Sequence, residues 1–153
     1  STNLSEVLQL LPDNFYLQPV SILDQQTIGQ QVRHIIEHWQ ILIKNYDAGY
    51  INYSNRKRDI TIEQNKQFAI DLLQTLQLQS NKDNRTLIIV SLDGSTTFTS
   101  SYFRELDNVA EHIIHHAAII KMAILSIDAN FKIPDNFGYA PSTITYKEQA
   151  CAQ

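Results

Sequence analysis

The stretch EHIIHHAAIIKM, residues 111–122, places three of the chain's 5 histidines on a strongly apolar segment. Around this stretch, apolar residues recur at alternating steps of three and four, which is the spacing of a helix with one buried face. We therefore predict a long helix over residues 101–130. Its buried stripe would contain Phe103, Leu106, Ala110, Ile113, Ala117, Ile120 and Ile124.

The directions of these histidines follow from the helical rotation of about 100° per residue. His112 and His116 lie on the same flank of the apolar stripe, and as an i,i+4 pair they are neighbours on the helix surface. His115 lies nearly opposite the stripe, so we expect it to face solvent. Two of the three imidazoles are therefore placed to contribute to a site between helices.

A second helix carries the other two histidines in the segment VRHIIEHWQ, residues 32–40. His34 and His38 share one flank of this helix, which we predict over residues 21–47 and which Gly49 would close. Three imidazoles between two helices can hold a divalent metal ion and leave one coordination position open. Helical geometry does not choose between His34 and His38, and ordinary hydrogen-bonded or solvent-facing histidines are the alternative interpretation. The apolar stripe of this helix contains Ile28, Val32, Ile35, Trp39, Leu42 and Tyr46.

The remaining elements are a short helix over residues 5–11, a third long helix over residues 60–79, and a β-hairpin at Asp93-Gly94, a dipeptide typical of hairpin turns. The tail after the last helix contains two prolines and is expected to be extended. We predict one domain over residues 1–153 that is mainly α. Its architecture would be an antiparallel four-helix bundle with a small β-hairpin inserted before the last long helix.

The composition is typical of a globular protein, with 43% hydrophobic and 18% charged residues. A net charge of −4 argues against a nucleic-acid surface, because phosphate binding needs an excess of Lys and Arg. Charges interrupt the apolar runs, so we expect no membrane span, and the single cysteine, Cys151, cannot form an internal disulfide. A cytoplasmic protein without a nucleic-acid or membrane partner is expected. An apolar helix face left over from the bundle could form a homodimer.

Three segments together resemble the DinB-like superfamily of small four-helix-bundle metalloproteins, and within it a branch of uncharacterised bacterial members. These segments are QQVRHIIEH, INYSNRKRDITIE and YFRELDNVAEHIIHHAAIIK, and the resemblance extends over roughly residues 15–146. It implies a three-histidine site for a divalent metal, zinc or nickel above all, with His34, His112 and His116 as the ligands. His38 would then lie beside the metal ligands.

The resemblance also implies a class of chemistry. A metal with an open position can activate a bound water or a thiolate, and members of the superfamily include thiol-dependent S-transferases and an isomerase. A thiol-dependent S-transferase or a hydrolase is therefore expected, acting on a small molecule with or without a low-molecular-weight thiol. The alternative is a non-catalytic bundle that binds a metal or a partner, as a sensor or a stress-related module, so enzymatic activity stays open.

Candidate residues outside the metal site lie mainly in the polar loop that follows the second helix. Tyr53, Arg56 and Arg58, together with His38, could contact a substrate or support the metal ligands. An arginine can hold a carboxylate or a phosphate through two parallel hydrogen bonds. The alternative is a structural loop in which the arginines pair with Asp59 and other nearby acids.

A hydrolase would also use a general base near the metal. Glu37 lies opposite the apolar stripe of its helix, so we expect it to be a solvated carboxylate. Glu105 and Glu111 flank the last long helix, and helical geometry assigns neither of them a role. Cys151 lies in the tail and is not expected to supply the reactive thiol.

Overall fold

The computed structural model describes residues 4–151, and the protein is mainly helical with a small three-stranded sheet. A short 3₁₀ turn, Ser21–Leu23, precedes the third helix. The helices are α1 Leu4–Leu10, α2 Asp13–Leu17, α3 Ile28–Lys44, α4 Ile60–Gln64, α5 Lys66–Gln79, α6 Tyr102–Ile127 and α7 Pro141–Cys151, and the strands are β1 Tyr50–Ile51, β2 Thr86–Val90 and β3 Thr97–Ser101.

Helix α3 lies at the centre of the fold and contacts α2, α4, α5 and α6. It begins later than residues 21–47 predict, because Asp24 and Gln25 have positive φ angles of 52° and 65° that interrupt the helix. The true start is a capping box, in which the Thr27 side chain accepts a hydrogen bond from the Gln30 backbone N–H and the Gln30 side chain accepts one from the Thr27 backbone N–H. The helix ends at Lys44 and its C-cap is Asn45, so Gly49 closes the turn that follows.

The helix predicted over residues 60–79 is divided in two at Asn65. This residue has extended backbone angles of φ −128° and ψ 98°, which a continuous helix does not allow. Its side chain accepts a hydrogen bond from the backbone N–H of Phe68 at 2.9 Å, so it caps the start of α5. The break lets α4 lie against α3 while α5 packs on both α3 and α1.

The predicted hairpin is present and is part of a larger sheet. Strands β2 and β3 pair antiparallel, with Thr86 opposite Ser101 and Val90 opposite Thr97. The two-residue strand β1 adds to the other edge of β2 in a parallel register, and sequence analysis missed it. Because β1 follows α3 in the chain, this pairing anchors the start of the polar loop before α4.

Helix α6 buries a stripe that differs from the predicted one near its beginning. Phe103 and Ala110 are exposed and Leu106 is half-buried, whereas Tyr102 and Val109 are buried. The register shifts because β3 leads directly into α6 and turns Tyr102 inward, where its hydroxyl donates a hydrogen bond to the Ser80 carbonyl. Further along, the predicted stripe is buried as expected at Ile113, Ala117, Ile120 and Ile124.

The tail is not extended throughout, because α7 forms within it. Pro141 occupies the first position of this helix, where a fixed φ is favourable and the missing N–H has no partner to lose. Before it, Gly138 lies against α6 so closely that an added Cβ would be 2.9 Å from the Cα of Ala118. The tail is thus held on α6 by a close backbone approach.

Among residues 4–151, α6 is the one helix whose length and mean hydropathy would suffice to cross a membrane. The core helix of a soluble protein meets the same criterion, and α6 packs against α3 and β3.

The approach of α3 to α4 generates a stability prediction. A Cβ added at Gly29 would lie 2.2 Å from the carbonyl oxygen of Glu63 and 2.9 Å from Cε1 of Tyr16. We expect Gly29→Ala to lower the free energy of unfolding by about 2–3 kcal/mol, as measured by urea denaturation. Gly94→Ala is the comparison, since an added Cβ there meets nothing within 4 Å but the φ of +72° remains unfavourable. It should cost about 1 kcal/mol, and an equal or larger loss than for Gly29→Ala would contradict the steric explanation.

Candidate metal centre

Three histidines from two helices converge in the structure. His34 comes from α3, His112 and His116 come from α6, and one ring nitrogen of each lies within 4.8 Å of those of the other two. The ring centroids are 4.5 Å apart for His112 and His116, and 4.6 and 4.8 Å from His34 to His116 and His112 respectively. His115 is exposed and belongs to no such group among the residues that the structure describes. The α3–α6 contact therefore assembles the three histidines that the resemblance implies.

The imidazoles in this region are held in the neutral form. Burial, followed by the charge of Arg56, lowers the pKa of His34 to about 4. Burial, followed by the neighbouring imidazoles, lowers the pKa of both His38 and His116 to about 3. Burial also lowers the pKa of His112. Since a doubly protonated imidazole cannot bind a metal, the neutral form of these rings at neutral pH is a precondition for metal binding.

The surroundings of two ring nitrogens bear on metal binding. Gln31 Oε1 lies 2.9 Å from Nδ1 of His116 and accepts a hydrogen bond from the Nδ1–H group, so in this tautomer Nε2 of the neutral ring carries a free lone pair. His112 Nε2 is buried and has no hydrogen-bond partner among the described residues. Sequence analysis missed Gln31, although it lies one helical turn before His34 and so on the same flank of α3.

One contact opposes metal binding. The guanidinium of Arg56 donates a hydrogen bond to Nδ1 of His34. An arginine can only donate, so in this arrangement the neutral ring carries its proton on Nε2 and has no free lone pair. His34 can therefore bind a metal only after Arg56 has left Nδ1.

His38 lies beside the three histidines and is not one of them. Its ring is stacked between His112 and Tyr53, with centroid distances of 4.2 Å to each. Its Nε2 atom is buried and has no hydrogen-bond partner among residues 4–151. The structure thus places His38 and Tyr53, both predicted as supporting residues, in one stack that ends on a candidate ligand.

Tyr53 is held in turn by Glu105, a buried carboxylate of α6. The Tyr53 hydroxyl donates to Oε2 of Glu105 at 2.8 Å, and the Ser100 hydroxyl donates to Oε1 at 2.6 Å. Burial, followed by the Glu105 charge, raises the pKa of Tyr53. Sequence analysis left Glu105 without a role because the strand that covers it is close in space only once the sheet has formed.

Glu37 is buried, which corrects the prediction of a solvated carboxylate. Its Oε1 accepts a hydrogen bond from the backbone N–H of Asp59 at 2.8 Å and lies 3.6 Å from Nε of Arg33. The loop before α4 covers this face of α3, which helical angles measured on α3 alone do not reveal. Arg33 also pairs with Glu63 of α4, so the carboxylates around it are engaged.

Two adjoining cavities open beside the histidines. One, of about 180 Å³, is lined by Arg33, His34, Glu37, Ser54, Arg56 and Arg58. The other, of about 400 Å³, is lined by Gln26, Gln30, Gln31, Arg33, His34, Arg58 and His116. Both cavities share Arg33, His34 and Arg58, so space for a small molecule adjoins the candidate ligands.

The donor set fits a divalent metal such as zinc or nickel. Imidazole nitrogens suit both ions, and three of them form an open site. A tetrahedral zinc ion with bonds of about 2.1 Å separates its nitrogen ligands by about 3.4 Å. Ring nitrogens that lie within 4.8 Å of one another would reach this spacing through ring rotation, together with the departure of Arg56 from His34.

The comparisons with known proteins give one relative. FK506-binding protein 5 of Rhizopus delemar is 33% identical to the chain over 106 residues, which cover 63% of the chain and 27% of that protein. The chain thus spans about a quarter of its relative's length, and the relative's name describes the whole of that longer protein. No family model matches the chain, and no solved structure matches it.

The lowered histidine pKa values predict that acid destabilises the metal-free protein. In the unfolded chain a histidine has a pKa of about 6.5, whereas folding lowers the pKa to about 4 for His34 and about 3 for His116. Below about pH 6.5 the unfolded state therefore binds more protons, so the free energy of unfolding is highest above that pH and falls toward pH 4. Urea denaturation at pH 7, 6 and 5 measures this slope. His116→Gln should make this slope shallower, so equal slopes for the wild type and this variant would refute the explanation.

The Glu105 contacts predict a second stability effect. Glu105→Ala leaves the hydroxyls of Tyr53 and Ser100 without their acceptor, so we expect the free energy of unfolding to fall by about 1–3 kcal/mol. Glu111→Ala is the matched control, because it removes an exposed carboxylate from the same helix and should change stability by less than about 0.5 kcal/mol. Similar losses in the two variants, measured by urea denaturation, would show that the hydrogen bonds of Glu105 contribute no net stability.

Proposed function

We propose that this protein is a divalent-metal-binding helical bundle of the DinB-like type, with His34, His112 and His116 as the metal ligands. The observation that carries the proposal is the convergence of these three side chains, each with a ring nitrogen within 4.8 Å of the others. The lowered pKa values support it, as does the Nε2 atom of His112, which has no hydrogen-bond partner within residues 4–151.

The packing of the helices is compatible with such a bundle. Helix α3 contacts α5 and α6, and α1 contacts α5. We propose that these four helices form the bundle and that the sheet is an addition before α6. The metal site would then lie between α3 and α6, where the two histidine-bearing flanks meet.

We further propose that the site is catalytic, as a thiol-dependent S-transferase or a hydrolase. A bound divalent metal would supply Lewis acidity, to activate either a thiolate or a water molecule. The protein's own contribution is to hold neutral imidazoles in position: Gln31 orients His116, and the Tyr53–His38 stack supports His112. The adjoining cavities leave room for a small-molecule substrate, which favours an open site.

A non-catalytic metal site is the second candidate. The ring centroids of His38 and His112 are 4.2 Å apart, and Nε2 of His38 has no hydrogen-bond partner among the described residues. A rotation of His38 into a fourth coordination position would close the site. A closed four-ligand site is typical of a structural metal, which would suit a sensor or a partner-binding module.

Metal content is the direct test of the proposal. The protein is purified without a histidine tag or chelator, incubated with zinc or nickel, freed of excess metal and subjected to elemental analysis. We expect about one metal ion per chain in the wild type and under about a tenth of that in the His112→Ala, His116→Ala double variant, because a single imidazole binds far more weakly than three. His115→Ala is the matched control and should retain the wild-type content.

Circular dichroism confirms that each variant is folded before its metal content is compared. A wild type that takes up neither metal, or a double variant that retains as much metal as the wild type, would refute the three-histidine site. If the site binds metal, the visible spectrum of the cobalt form reports its coordination number. Loss of a protein ligand in His38→Ala would favour the closed, structural site over the catalytic one.

A further inference from the structure

The loop between β1 and α4 places two arginines beside the candidate metal ligands. Arg56 contacts His34, and both Arg56 and Arg58 line the cavity of about 180 Å³ next to that ring. Arg58 also lines the neighbouring cavity of about 400 Å³, which reaches His116. The two guanidinium groups therefore border the space that a substrate at the metal would occupy.

The acids near this loop are already engaged elsewhere. Glu37 and Glu63 both pair with Arg33, and the Asp59 side chain accepts a hydrogen bond from the backbone N–H of Thr61. Of the described residues, none brings a carboxylate oxygen within 4.0 Å of a nitrogen of Arg56 or Arg58. The expected alternative, in which these arginines pair with Asp59, is therefore not what the structure contains, and their charges are left for another anion.

The loop is also held in place at both ends, so the two arginines are presented at a defined position. At its start, β1 pairs with β2, and the Ile88 N–H donates a hydrogen bond to the Gly49 carbonyl at 2.8 Å. At its end, the Asp59 N–H donates to the buried Glu37 carboxylate. Because the loop is already fixed, less conformational entropy is lost when a ligand binds to it.

We propose that Arg56 and Arg58 form an oxyanion subsite that anchors a carboxylate or phosphate group of the substrate beside the metal. This inference rests on the proposed metal site for its catalytic meaning, although the subsite itself needs no metal. Guanidinium groups bind oxyanions through paired, charge-assisted hydrogen bonds. A cavity of about 180 Å³ has room for such a group with several waters, each of which occupies about 30 Å³.

The contact between Arg56 and His34 links this subsite to the metal. Metal binding at His34 requires Arg56 to leave Nδ1, and an oxyanion in the cavity gives the displaced guanidinium a new partner. A metal ion and an oxyanion should therefore favour each other's binding, because both stabilise the conformation in which Arg56 no longer contacts His34.

The test measures the binding of two probes, inorganic phosphate and malonate, to protein that has been stripped of metal and freed of chelator. Isothermal titration calorimetry at constant ionic strength gives Kd for each probe, and the comparison distinguishes a phosphate from a carboxylate preference. We expect Arg56→Ala and Arg58→Ala each to raise the Kd of the preferred probe by about tenfold. Lys57→Ala is the matched control, because it removes the same charge from the residue between them, which lines neither cavity.

Absence of binding by both probes, or an equal loss in Lys57→Ala, would overturn the subsite. The His112→Ala, His116→Ala double variant separates this outcome from failure of the metal site. It should retain phosphate or malonate binding within about twofold, since neither side chain belongs to the subsite. Protein that binds an oxyanion but no metal supports the subsite alone, and protein that binds metal but no oxyanion refutes the subsite alone.

Metal affinity supplies a second readout of the role of Arg56. Because Arg56 competes for Nδ1 of His34, Arg56→Ala is expected to bind zinc or nickel at least as tightly as the wild type. A loss of metal affinity in Arg56→Ala would show that this residue supports the metal ligands instead of binding the substrate.

Discussion

The packing of α3 against α6 is the contact on which the rest of the structure depends. Ile35 and Ile113 are buried between helices, and the histidine flanks meet beside them. A shift of either helix by one residue would rotate its side chains by about 100° and separate the imidazoles. Helix α3 is also held by α4, which Gly29 allows to approach and whose Glu63 pairs with Arg33.

The small sheet supports the candidate metal site indirectly, through side chains that lie between them. It covers Glu105 at the start of α6, and that carboxylate holds Tyr53, on which His38 and then His112 are stacked. The same sheet fixes the start of the arginine-bearing loop. The sheet thus contributes both to the support of one candidate ligand and to the position of the charges beside it.

Sequence periodicity predicted the features that depend on one helix at a time. The i,i+4 spacing of His112 and His116 made them neighbours, and the exposure of His115 agrees with its angle on α6. Features that depend on a second element were missed or wrong. Glu37 and Glu105 were not predicted to be buried, because the loop and the strand that cover them lie 22 and 5 residues away in the chain, and a helical angle contains no information about such cover.

Element boundaries failed for local reasons that the apolar pattern does not contain. The helix predicted over residues 21–47 includes Asp24 and Gln25, which adopt positive φ, and the helix predicted over residues 60–79 includes the extended Asn65. The two-residue strand β1 carries too few residues for any period to be recognised. Its pairing with β2 depends on chain segments more than thirty residues apart.

The energetic cost of this site argues that its residues serve a ligand more than the fold. The half-buried imidazoles of His38 and His112 have Nε2 atoms with no hydrogen-bond partner in the described part of the chain, so they lose hydration without gaining a hydrogen bond in return. Apolar side chains of similar size would fill the same space between α3 and α6 at lower cost, as is common when buried polar groups are replaced. The adjoining guanidinium groups add repulsion toward any protonated ring. Such an arrangement becomes favourable when a cation binds the nitrogen lone pairs and an anion binds the arginines. A cation and an anion bound together would thus offset both the lost hydration of the imidazoles and the repulsion from the guanidinium groups.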